Sequence, residues 1–84
     1  MKTNENTNMS SDDIKKEILL NVGKHIIIKE YNKQGKLIKQ FSGEILNCYN
    51  NLFLVKIKIN SSYLNKSFSF IDFLTNDLKY EILN

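Results

Sequence analysis

The first ten positions, Met1 to Ser10, are polar and carry no apolar period, so they cannot bury enough surface to offset the entropy of ordering them. Residues 1–10 are expected to form a disordered tail, and residues 11–84 a single domain. From Ser11 the pattern turns helical, with Ile14, Ile18, Leu19 and Val22 recurring on one stripe. Ser11 or Asp12 suits the N-cap, and Asp12 and Asp13 sit where the helix dipole favours negative charge. Gly23 follows and can end the helix in a left-handed turn. The spacing predicts a helix over about residues 11–22, too short to be stable alone in water, so its apolar stripe must dock on the remainder.

Beyond Gly23 the period changes to that of strands. Lys24 to Tyr31 has a β-branched centre, Ile26-Ile27-Ile28, and Asn32-Lys33-Gln34-Gly35 reads as a hairpin loop. Lys36 to Tyr49 is long for one straight strand, and Gly43 marks a bend that lets it serve two sheet faces. After the turn residues Asn50-Asn51, the stretch Leu52 to Ile59 alternates, with Val55, Ile57 and Ile59 inward and Lys56 and Lys58 outward. Asn60-Ser61-Ser62 makes the next turn, and Lys66 to Phe70 places Phe68 and Phe70 on one face. Ile71 to Leu74 reads as a short tight helical turn before a last strand, Asp77 to Ile82, with Leu78, Tyr80 and Ile82 on one face.

One N-terminal α-helix and five short antiparallel strands, the second bent, match a small five-stranded SH3-like or Sm-like barrel over about residues 24–83. The fold class is mostly β. Fold alone does not give function, since small barrels bind peptides, RNA, DNA and other proteins.

At 84 residues the chain has room for one core. It carries one Cys, one His and no Pro, which leaves neither a disulfide framework nor a Cys/His zinc set. No apolar run approaches a membrane span, and the N-terminus lacks a secretory core, so a reduced, cytoplasmic setting without membrane attachment is expected. His25 lacks an orienting partner in the sequence, and Cys48 beside Tyr49 reads as a small packed side chain. Glu30, Glu44, Asp72, Asp77 and Glu81 are scattered singly, and Gly23, Gly35 and Gly43 form no phosphate loop. No enzyme activity and no cofactor are expected.

The net charge is +3, and every basic residue is Lys. Five lysines against one glutamate between Lys24 and Lys39 make the first hairpin the most positive region, with Tyr31 as a stacking side chain. The candidate surface for a nucleic acid or a protein partner is therefore Lys24, Lys29, Tyr31, Lys33, Lys36 and Lys39. The same lysines also suit a solvated hairpin that guards a sheet edge. The absence of Arg, the residue that reads guanine and phosphate in bidentate fashion, weakens the nucleic-acid side of that reading.

The order of these features resembles the Veg family of Gram-positive bacteria. Ser11-Asp12-Asp13-Ile14-Lys15 is similar to its helix start, and Val22-Gly23-Lys24 to its junction into the first strand. Ser42-Gly43-Glu44-Ile45-Leu46, with Tyr49, Leu52, Phe53 and Val55, follows its central run. Ser67-Phe68-Ser69-Phe70-Ile71-Asp72-Phe73-Leu74-Thr75 resembles its Ser-Tyr-Ser-Tyr-x-Asp-apolar-Leu-Thr segment. Asn50 stands where the family has Pro, Phe68 and Phe70 stand where it has Tyr, and Lys33-Gln34-Gly35-Lys36 stand where its first hairpin is rich in Arg. The resemblance implies an SH3-like barrel with an N-terminal helix, no catalysis, and a regulatory role in stimulating biofilm formation by antagonising a transcriptional repressor. A protein partner is the expectation this favours. The alternative is a sequence-tolerant RNA- or DNA-binding or ribosome-associated barrel using the lysine-rich hairpin, and an uncapped edge strand would also permit a homo-oligomer.

Overall fold

A computed structural model describes residues 2–3, 10–75 and 77–83. In chain order these form β1 (Lys2–Thr3), α1 (Ser11–Leu20), β2 (His25–Tyr31), β3 (Leu37–Cys48), β4 (Leu52–Ile59), β5 (Ser62–Ser69), a 3₁₀ turn (Phe70–Phe73) and β6 (Leu78–Leu83). The strands make one antiparallel sheet in the order β1-β6-β2-β3-β4-β5. The five expected strands and the helix are all present, but the sheet does not close on itself, and β5 stands at its free end. The expected disordered tail falls mostly on residues 4–9, outside the described residues. Within it, Lys2 and Thr3 pair with Ile82 and Glu81.

The helix is shorter than the pattern predicts. Ser10, rather than Ser11 or Asp12, is the N-cap: its Oγ accepts from the Asp13 N–H at 3.2 Å, and its own N–H donates to Asp13 Oδ2 at 3.0 Å. The backbone N–H of Ser10 is the main cause that holds the Asp13 carboxyl below its ordinary range. At the other end Asn21 stops the helix, its N–H donating to the Ile18 carbonyl at 3.0 Å and its Nδ2 to the Glu17 carbonyl at 2.7 Å. Only Ile14 and Ile18 of the predicted stripe are buried, while Leu19 and Val22 are exposed. Val22 lies past the helix end, in the turn that Gly23 completes by donating to the Ile45 carbonyl at 2.7 Å.

β3 bends as expected. Its first half, Leu37 to Glu44, pairs with β2, and Gly43 to Cys48 pairs with β4, so only the two residues around Gly43 have strands on both sides. Gly43 is there because nothing larger fits: a Cβ would lie 2.2 Å from the Lys56 carbonyl oxygen and 2.9 Å from Val55 Cγ1. The register shift falls two residues later, between Ile45 and Asn47.

The core is the concave face of the bent sheet, plugged at one end by α1. Ile26, Ile28, Ile45, Phe53, Val55, Ile57, Phe68, Tyr80 and Ile82 come from the strands, Phe70 and Phe73 from the 3₁₀ turn, and Ile14 and Ile18 from the helix. The Phe53 ring lies 5.6–5.8 Å from those of Phe68, Phe70 and Phe73, so the three phenylalanines of the segment 68–73 converge on one neighbour. Ile59, predicted to face inward, does so by register but is exposed, because β3 has bent away from that end of β4.

Candidate functional site

The alternation of β2 sorts the predicted surface. Ile26, Ile28 and Glu30 face the concave side, so Lys29 and Tyr31 face outward. Lys39 pairs with Glu30 and therefore faces the opposite side of the β2–β3 ribbon from Lys29. Lys33 and Lys36 are exposed in the turn, where Asn32 Oδ1 accepts from the N–H groups of Gln34 and Lys36, both at 2.9 Å. Lys24 precedes the other end of β2, about 25 Å from that turn at the usual rise of a strand. The structure thus brings Lys29 and Tyr31 together and does not gather all six residues on one face.

It adds a residue that the linear reading missed. Lys79 pairs opposite Lys29, and its Nζ lies 5.4 Å from the centroid of the Tyr31 ring. The signal was the alternation of Lys79 between the inward Leu78 and Tyr80, but its neighbour is 50 positions away in the chain.

The second surface is the β4–β5 hairpin. Ile59 and Ser62 close a two-residue turn in which Asn60 takes φ +57°, the hand such hairpins need. A closing pair of this kind exchanges both backbone bonds, so the backbone groups of Ser62, Leu64 and Lys66 point to β4. Those of Tyr63, Asn65 and Ser67 then point to the open side, where no described strand pairs with them. Outward, Lys56 Nζ sits 4.7 Å over the Tyr63 ring, with Lys58 paired opposite Tyr63. On the concave side Leu64 remains 51% exposed, and Lys66 Nζ lies 5.5 Å from the Phe41 ring and 5.6 Å from the Phe68 ring.

A cleft of about 330 Å³ follows the open seam of the sheet, lined by Glu30, Phe41, Lys66, Phe68, Asp72 and Asp77 among others. A second depression of about 370 Å³ on the outer face is lined by His25, Glu44, Lys56, Lys58 and Tyr63, among others.

Cys48 is half-buried, its Sγ 3.9 Å from the carbonyl oxygens of Lys15 and Tyr49, and burial pushes its thiol up, away from the reactive thiolate. The Tyr80 hydroxyl donates to the Glu17 carboxylate, a bond that ties α1 to β6. Burial first, then that bond, pushes the hydroxyl well above its ordinary value of 10.0. No group of three or more His, Cys, Asp or Glu residues among those described could hold a metal ion.

No helix among the described residues is long and apolar enough to cross a membrane. No curated protein matches the chain. The model of one family does, over residues 9–81, which takes in the helix, the bent strand, the free hairpin and the first four residues of β6: the chain belongs to the Veg family, whose description is biofilm formation stimulator.

Proposed function

We propose that the protein is a non-enzymatic regulatory binding protein that docks another protein along the open edge of β5, and that through this contact it stimulates biofilm formation, as its family description states. The observation that carries the reading is the state of β5. It is eight residues long, regular in its pairing with β4, and contains no Pro. Edge strands are normally protected by a charged side chain, outward or inward, by Pro, by a bulge or by a covering element. The one charge on β5, Lys66, faces inward over the Phe41 and Phe68 rings and guards the far half of the strand, so residues 62–65 carry no charge of their own. That uncharged stretch, with Tyr63 and Leu64 exposed, suits addition of a partner's strand, in which main-chain bonds give affinity and side-chain pockets give selectivity. A partner of the transcriptional-repressor class is the one that the resemblance to Veg proteins favours.

A second reading has one observation in its favour. Lys29, Lys79 and Tyr31 share an outward face, an arrangement that suits a phosphate backbone and a stacked base.

Photo-crosslinking in the native cell separates the two. With a photoreactive residue in place of Tyr63, the docking reading expects a crosslinked product that protease destroys and nuclease leaves intact. A product formed only from position 31 or 79 and destroyed by nuclease would contradict it.

A further inference from the structure

We infer that the occupant of the β5 edge is an extended acidic segment of a partner protein, in which carboxylate side chains alternate with apolar ones, lying along residues 62–66. The inference rests on the protein-docking reading above and gives that partner a chemistry.

Charge is the first argument. From Ile45 to Ile71 the chain contains no Asp or Glu, while Lys56, Lys58 and Lys66 all fall on the β4–β5 hairpin. The hairpin is therefore wholly positive within a chain whose net charge is only +3. A second copy would set one positive hairpin against another, whereas an acidic strand is attracted and steered to it.

The two faces of β5 then specify the alternation. A strand added at the edge lies about 4.8 Å beyond β5, with successive side chains on opposite faces. On the outer face its neighbours are Tyr63 and Asn65, with Lys58 paired opposite Tyr63; Glu44 pairs with Lys56 from the β3 side, but the Lys56 ammonium turns the other way, over the Tyr63 ring, so carboxylates belong there. On the concave face its neighbour is Leu64, with Ile59 next to it on β4, both about half exposed, so apolar side chains belong there.

The far half of β5 sets the limit. Lys66 and Phe68 share the seam cleft with Glu30, Asp72 and Asp77, whose carboxylates repel an acidic strand and confine it to residues 62–66.

The test titrates the full chain, labelled with ¹⁵N, with an end-capped ten-residue peptide of alternating glutamate and valine, and with its lysine–valine counterpart. The expected result is amide shifts confined to β5 and to Lys56–Lys58, from the acidic peptide alone. Affinity should drop at least tenfold in Asn65→Pro, which removes an outward N–H but no bond to β4. A comparable drop is expected in Lys56→Glu/Lys58→Glu, a pair of exposed substitutions that leaves the backbone untouched and should bind the lysine peptide instead.

Equal affinity for both peptides, shifts centred elsewhere, or no effect of either variant would overturn the inference. So would a free chain of twice 9.8 kDa by light scattering that Asn65→Pro returns to a monomer. If the acidic peptide fails while position 63 still crosslinks to protein in the cell, the chemistry of the partner is wrong and the docking reading stands. If both fail, both fall.

Discussion

Tyr80 makes a buried polar contact between the helix and the sheet. It is nearly fully buried in β6, its ring packed edge-on to Phe73, and its hydroxyl donates to Glu17 on the underside of α1. A buried phenol that donates to a carboxylate resists ionisation, because the anion would lose both water and the bond and would face a like charge. The folded chain therefore keeps this proton where the unfolded chain releases it, at about pH 10. The stabilisation is fully present below that pH and is lost as pH rises above it, since the unfolded state then binds fewer protons than the native state. Tyr80→Phe should lower stability at neutral pH by about 1.5–3 kcal/mol, the scale of a hydrogen bond to a charged group. Denaturant unfolding from pH 8 to 11 should also show a shallower alkaline decline for the variant than for the parent. Parallel declines would show that the hydroxyl is not held as described.

At the scale of elements, the bend of β3 decides how the sheet is shared. Gly43→Ala would drive a methyl group into the Lys56 carbonyl, and neither strand can yield without breaking the pairing on one side. A loss of about 3 kcal/mol, the upper end of ordinary overpacking costs, is expected, read as an earlier denaturant midpoint with unchanged slope. A variant as stable as the parent would mean that the bend does not depend on the missing Cβ.

The bend was legible in the sequence because a lone glycine inside a long alternating run has few other readings, and β2, β4 and β6 were legible from their period. The end of the helix was not. Ile14, Ile18 and Val22 continue a perfect stripe, and only the competing bonds of Asn21 to Glu17 and Ile18 stop it. The start of β5 was hidden in another way. Ser62, Tyr63, Leu64 and Asn65 are all exposed, so no burial contrast imprints a period on them, and Ser62 reads as part of the turn. That stretch is the proposed interaction edge. An edge strand exposed on both faces lacks the buried side from which strands are ordinarily read.

Over the whole molecule, the lysines fall into two groups that the linear order does not separate. Lys29 and Lys79 meet across paired strands, while Lys56, Lys58 and Lys66 surround the free hairpin, and Lys39 faces away from Lys29. The lysine-rich first hairpin was visible in the sequence as a run of charge, but its division between two faces depends on strand alternation. The hairpin at β5 carries no comparable mark in the sequence, because its significance lies in which strand ends the sheet, a property of topology. Helix, seam cleft and free edge thus divide the labour. The helix closes one end of the core, the seam carries the carboxylates, and the edge offers backbone bonds and positive charge.

The most direct measurement replaces the native gene with one encoding Asn65→Pro and scores biofilm mass, with cellular protein level and melting temperature as controls. The account predicts a protein that accumulates and melts within a few degrees of the parent, because the lost N–H points away from β4. It also predicts biofilm reduced to the level of a strain lacking the protein. A parental level of biofilm from the variant strain would contradict the claim that the protein acts through this edge.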